Sequence, residues 1–145
     1  MENSKSQLQD AAGLGQFTYR ENTEGVEIQV RPEYLPRHSR PDQGMYTWSY
    51  TVTMINHGSR RLQLLNRLWI ITDGKGRIDE VSGVGVIGEQ PILLPNTSYT
   101  YTSGCPLKTP TGNMRGWYDF VDLDTNQKIK TRIPLFFLRS DIVLH

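Results

Sequence analysis

The stretch LLNRLWIITDGKGRIDEVSGVGVIGEQPILLPNTSYTYTSGCP, Leu64 to Pro106, brings strand signals, turn signals and a glycine-rich run together. Leu64, Leu65, Leu68, Trp69, Ile70 and Ile71 form an apolar run too short for a free-standing helix, closed at once by Asp73-Gly74-Lys75-Gly76. This spacing predicts a well-buried strand entering a tight turn. Beyond the turn, Gly83-Val84-Gly85-Val86-Ile87-Gly88 matches G-x-G-x-x-G by letters, which points to a dinucleotide-binding fold. That fingerprint needs its last glycine to open a helix, whereas Gly88 is followed by Glu89-Gln90-Pro91 and then Pro95. The run is therefore expected to be a glycine-rich strand or bulge against close-packed backbone, with a non-helical amide nest for an anion as the alternative.

Working outward, Val26, Ile28 and Val30 alternate with Glu27, Gln29 and Arg31, which predicts a strand ending near Pro36. Pro36 to Gly44 lacks periodicity and reads as a loop. In Met45 to Asn56 the residues Tyr46, Trp48, Tyr50, Val52 and Met54 face one way and Thr47, Ser49, Thr51 and Thr53 the other, a strand with one wet face. Further strands are expected at Leu62 to Thr72, Arg77 to about Val84, Thr97 to Cys105, Asn113 to Leu123 and Lys128 to Leu138. Asp124-Thr125-Asn126-Gln127 turns the last pair into a hairpin. About seven strands and no helical pattern predict an all-β immunoglobulin or fibronectin-type-III-like sandwich. Leu93-x-Pro95-x-Thr97-x-Tyr99 resembles the fibronectin type III corner, with Asn96 suited to a left-handed turn. Trp48, Trp69, Ile71, Tyr99, Tyr101, Met114, Tyr118 and Phe120 are expected in the core.

With 145 residues, 37% hydrophobic and 21% charged, the chain has room for one core. Residues 1–24 are poor in apolar side chains and read as a flexible extension, with order expected only near Phe17 and Tyr19, leaving 25–145 as the sandwich domain. A formal charge of +1 gives no field for nucleic acid or anionic membranes. The single cysteine, Cys105, excludes an internal disulfide framework, and no apolar run approaches membrane-spanning length. The expectation is a soluble cytoplasmic protein.

Catalytic and metal-binding constellations are not visible. His38, His57 and His145 lie far apart, and Asp122-x-Asp124-x-Asn126 opens like an EF-hand loop but has Gln127 and Ile133 where glycine and glutamate are required. Cys105 has no histidine nearby in sequence, so a small buried apolar role is expected. Asp79, Glu80, Asp119 and Asp122 read as solvated carboxylates. Arg60, Arg61, Arg67, Lys75 and Arg77 cluster around the third predicted strand, either as a phosphate or acidic-partner site or as charges protecting a sheet edge. These readings favour a non-enzymatic interaction domain without cofactor or metal, its protein partner docking on Arg67, Gly83, Gly85, Gly88, Glu89 and Gln90. The alternative is a phosphate, polyphosphate-nucleotide or divalent-metal binder using residues 83–88. A homodimer is left open.

The run from Gln63 to Asp73, the run from Gly83 to Pro91, and Tyr101-Thr102-Ser103-Gly104-Cys105 with Thr109-Pro110-x-Gly112-x-Met114-x-Gly116 together resemble the ApaG family. The resemblance covers about Val26 to Arg139. It implies a fibronectin-type-III-like sandwich and an association with cobalt and magnesium homeostasis, without a settled biochemical activity. Where members often carry histidine before the tryptophan, this chain has Leu68.

Overall fold

Alternation along Tyr46–Asn56 settles which side of the strand is buried: Trp48, Tyr50, Val52 and Met54 are inside, and the threonines between them are not. This strand is β3 of nine in the computed structural model, which describes residues 17–140. In chain order the strands are β1 (Tyr19–Thr23), β2 (Val26–Tyr34), β3, β4 (Leu62–Asp73), β5 (Ile78–Val84), β6 (Ile92–Leu93), β7 (Ser98–Leu107), β8 (Thr111–Asp122) and β9 (Lys128–Arg139). Two antiparallel sheets form a sandwich. One has the order β1-β2-β3-β7; the other has β5-β4-β8-β9, with β6 also pairing to β4.

All seven expected strands are present, and β1 and β6 are additional. β1 lies within the segment read as an extension and forms a hairpin with β2 through Glu24-Gly25, both at positive φ as a two-residue turn of this kind requires. Residues 1–16 lie outside the described residues. The Pro36 to Gly44 loop contains two single-turn 3-10 segments, Pro36–His38 and Pro41–Gln43.

The core runs between the sheets. Trp48, Trp69, Tyr101, Met114, Tyr118 and Phe120 are buried as expected, joined by Ile28, Leu64, Ile133, Phe136 and Leu138, while Ile71 and Tyr99 are only partly buried. Rings of Tyr50, Trp69, Tyr118 and Phe136 meet at centroid distances of 5.1 to 6.3 Å, mostly edge to face. The wet face of β3 is joined to β7 by hydroxyl pairs, Thr51 with Thr102 at 2.9 Å and Thr53 with Thr100 at 3.1 Å.

The expected corner at Tyr99 is replaced by another arrangement. Asn96 does adopt φ +63°, but the Tyr99 hydroxyl lies against the Glu89 side chain rather than upstream backbone. The buried hydroxyl pair is instead Tyr101 with Tyr118, which ties β7 to β8 across the core. The sheets approach each other where β9 packs on β1 and β2. On the opposite side the edge strands are β7 and β5, and two hollows lie there, while a third lies between β1 and the Pro134-Leu135 part of β9.

Candidate functional site

The glycine run is placed by β4. A bulge between Leu64 and Asn66 turns the Leu65 carbonyl outward, where it accepts from the Gly85 amide at 2.8 Å and from Gln90 Nε2 at 3.1 Å. Val86 and Glu89 then exchange both backbone hydrogen bonds around Ile87-Gly88, whose φ values of +48° and +73° make a two-residue hairpin turn. Gln63 Nε2 donates to the Gln90 carbonyl at 3.0 Å and closes the far end. As expected no helix follows the run: Gly83 and Val84 end β5, residues 86–89 make a turn rather than a bulge, and the amides of Gly85, Val86 and Glu89 each already donate to a carbonyl.

Arg67 lies across this turn. Its Nη1 donates to the carbonyls of Gly85 at 2.7 Å and Val84 at 3.3 Å, and its guanidinium covers Gly83, where a Cβ would come within 3.0 Å of it. Among the described residues no carboxylate pairs with Arg67. All six residues expected to form a docking face, Arg67, Gly83, Gly85, Gly88, Glu89 and Gln90, are thus gathered at one end of β4 and β5. Their roles differ: Arg67, Gly83, Gly85 and Gln90 brace the turn from β4 and β5, whereas Gly88 and Glu89 form its exposed tip.

Behind Arg67 is a hollow of about 340 Å³ lined by Tyr50, Trp69, Val86, Tyr101 and Ser103. Tyr50 lies beside Ser103 in the β3–β7 pairing, and burial pushes the Tyr50, Tyr101 and Tyr118 hydroxyls above their ordinary pKa while the nearby Arg67 charge pulls partly the other way. These hydroxyls therefore keep their protons at neutral pH. A second hollow of about 400 Å³ lies towards the other end of β4, lined by Met45, Ile71, Asp73, Arg77, Leu107 and Lys108. Tyr50, Tyr101 and Ser103 were not singled out as a site from sequence, because what joins them is the β3–β7 register, in which Tyr50 pairs with Ser103.

The basic cluster read around β4 is divided by the strand's length. Arg61 pairs with Asp124 at 2.7 Å and Arg60 with Glu24 at 3.6 Å at one end, while Lys75 and Arg77 belong to the turn at the other. Asp122 is buried, and its Oδ1 accepts from the amides of Asp124 and Thr125 in the β8–β9 turn; Asp119 meets Lys130 at 3.4 Å. Cys105 is buried and its thiol is pushed up to about 11 by burial. His57 meets Glu27 at 2.7 Å, and among the described residues no group of three or more His, Cys, Asp or Glu is placed to hold a metal ion. No helix among the described residues is long and apolar enough to cross a membrane. Leu68 pairs with Ser82 and Trp117, and so faces away from Trp69 and the hollow.

Residues 36–122 match the profile of the ApaG domain. The chain is 53% identical over 120 residues to the protein ApaG of Mesorhizobium japonicum, covering 83% of this chain and 92% of that one. It is 47% identical over 122 residues to the protein ApaG of Paramagnetospirillum magneticum, covering 84% and 93%. A crystal structure of a Bordetella pertussis protein, 45% identical, superposes with a TM-score of 0.76 over 79% of this chain and 92% of that one. With the profile spanning more than half of the chain and the relatives nearly all of their own length, this chain belongs to the ApaG domain family.

Proposed function

We propose that this chain is a non-enzymatic protein-interaction module, and that an extended segment of its partner docks along β5 and the turn that follows. The observation that carries this reading is the state of β5. It is the last strand of its sheet, bonded to β4 on one side only, and six of its seven residues are exposed. Among them Val84 is 67% exposed, and the exposed Ile87 and Ile92 continue the apolar tract. An unpaired edge offers a row of backbone donors and acceptors, and a protein that only had to avoid aggregation would shorten, cover or charge it more fully than Asp79 and Glu80 do. Strand addition supplies affinity through main-chain hydrogen bonds, and the apolar side chains supply selectivity. Gly88 and Glu89 are exposed at the adjoining tip, within reach of the same partner. The buried, protonated Cys105 thiol is consistent with a structural role for this residue rather than nucleophilic chemistry.

Affinity capture from cell extract, followed by binding of the purified captured protein, tests this. Val81→Asp with Val84→Asp should abolish binding and leave the melting temperature within about 2 °C, as expected for exposed positions. Unchanged binding by that double variant would place the partner elsewhere, and a wild-type chain that captures nothing reproducibly would remove the interaction reading.

A further inference from the structure

The hollow behind Arg67 is built from polar and aromatic groups brought together from four segments, and it shares only Ile87 with the apolar tract along β5. Trp69 and Tyr101 are 3% and 7% exposed, so its inner walls are fixed core side chains, while the exposed Ile87 and Thr102 border its mouth. Arg67 sits at its rim with Nη1 held by two carbonyls, which fixes the guanidinium plane. Its charge has no carboxylate partner among the described residues. Ser103 and Tyr50 add hydroxyls on the same wall.

We propose that this hollow is a binding site for a carboxylate carried on an apolar stem, with the guanidinium of Arg67 as the carboxylate's partner and Tyr50, Trp69, Tyr101 and Val86 around the stem. The choice of a carboxylate follows from the count of charges. One cation whose Nη1 is held by two carbonyls keeps its Nε and Nη2 donors, an edge that matches a planar monoanion, whereas a phosphate dianion taken out of water would need further positive groups that the lining does not supply. The choice of stem follows from the walls, which are rings and an aliphatic side chain; a volume of about 340 Å³ suits an acid with a single aromatic or branched group. The same chemistry could be presented by a free organic acid or by the carboxyl terminus of a polypeptide.

The full chain, isotope-labelled, is titrated with benzoate while the amide signals of Gly85, Val86 and Ser103 and the Arg67 Nε signal are followed by NMR. Saturable shifts confined to these residues are expected, with Kd on the order of 1 mM for so small a ligand. Benzamide, equal in shape and uncharged, should bind at least tenfold more weakly, and inorganic phosphate should leave these signals unmoved. Arg67→Gln should lose at least tenfold in affinity. Because that change also frees the Val84 and Gly85 carbonyls, Ser103→Leu serves as a second variant: it fills the hollow, keeps Arg67, and should abolish the shifts. Comparing benzoate with acetyl-alanyl-phenylalanine as free acid separates the two sources, and tighter binding by either supports the site. Absence of saturation, equal binding of benzamide or phosphate, or full binding by Ser103→Leu overturns it. No partner protein is present, so this outcome stands or falls apart from the docking of β5.

Discussion

Gly85 has φ +65°, and a Cβ on it would lie 2.1 Å from the Glu89 carbonyl oxygen. The left-handed backbone alone costs a residue with a Cβ about 1–2 kcal/mol, and the overlap adds to it because the opposing atom is backbone. Gly85→Ala should therefore destabilise the chain by about 2–4 kcal/mol in urea unfolding. An unchanged midpoint would mean that the turn is not built as described. The tyrosines offer a contrast. Tyr118→Phe leaves the buried Tyr101 hydroxyl without its partner and should cost about 1–3 kcal/mol, whereas Tyr99→Phe removes a hydroxyl that meets only the exposed Glu89 and should cost less than about 0.5 kcal/mol. Cys105 has its thiol pKa raised to about 11, so its contribution to stability is fully present below the ordinary thiol pKa and is lost as pH rises towards 11. At about pH 8, native protein should react with iodoacetamide far more slowly than protein unfolded in urea, as read by mass spectrometry.

The turn between β4 and β5 depends on Asp73, whose Oδ1 accepts from the amides of Lys75 at 2.8 Å and Arg77 at 2.9 Å. The Arg77 amide is the main reason its carboxyl sits below the usual carboxylate range. A depressed folded pKa gives stability that is present above the unfolded value and is lost as pH falls through the folded one. Asp73→Asn should therefore shrink the loss of melting temperature on acidification from about pH 5 to pH 2, and an identical acid limb would show that this carboxylate is not coupled to folding. At this scale most of the sequence was readable. β3 and β2 announce themselves by period-two alternation, and β4 by an apolar run that ends in Asp-Gly. β1 has no signal of its own because Tyr-Arg-Glu-Asn-Thr lacks apolar alternation and Glu24-Gly25 has only the second residue of the usual Asn-Gly or Asp-Gly hairpin pair. β6 has only two residues and exists because the Pro91 carbonyl and Leu93 meet β4, a long-range fact without a local pattern.

Across the whole molecule, residues that form the hollow come from β3, β4, β7 and the turn at Val86, and nothing in their spacing pairs them. Reading the sequence located Arg67 and the glycines as neighbours, since they lie on paired strands; it missed Tyr50, Tyr101 and Ser103, because their proximity is created by sheet register and by the packing of one sheet on the other. The same topology leaves β5 as an unpaired, mostly exposed edge, which is the feature on which the interaction reading depends. Hydrogen exchange of the chain with and without its captured partner tests that reading most directly. New protection is expected on binding at amides of Ile78 to Val84 and around Ile87-Gly88, with the β1–β9 side unchanged. Protection confined to β1, β2 and β9, with β5 exchanging as fast as in the free chain, would contradict it.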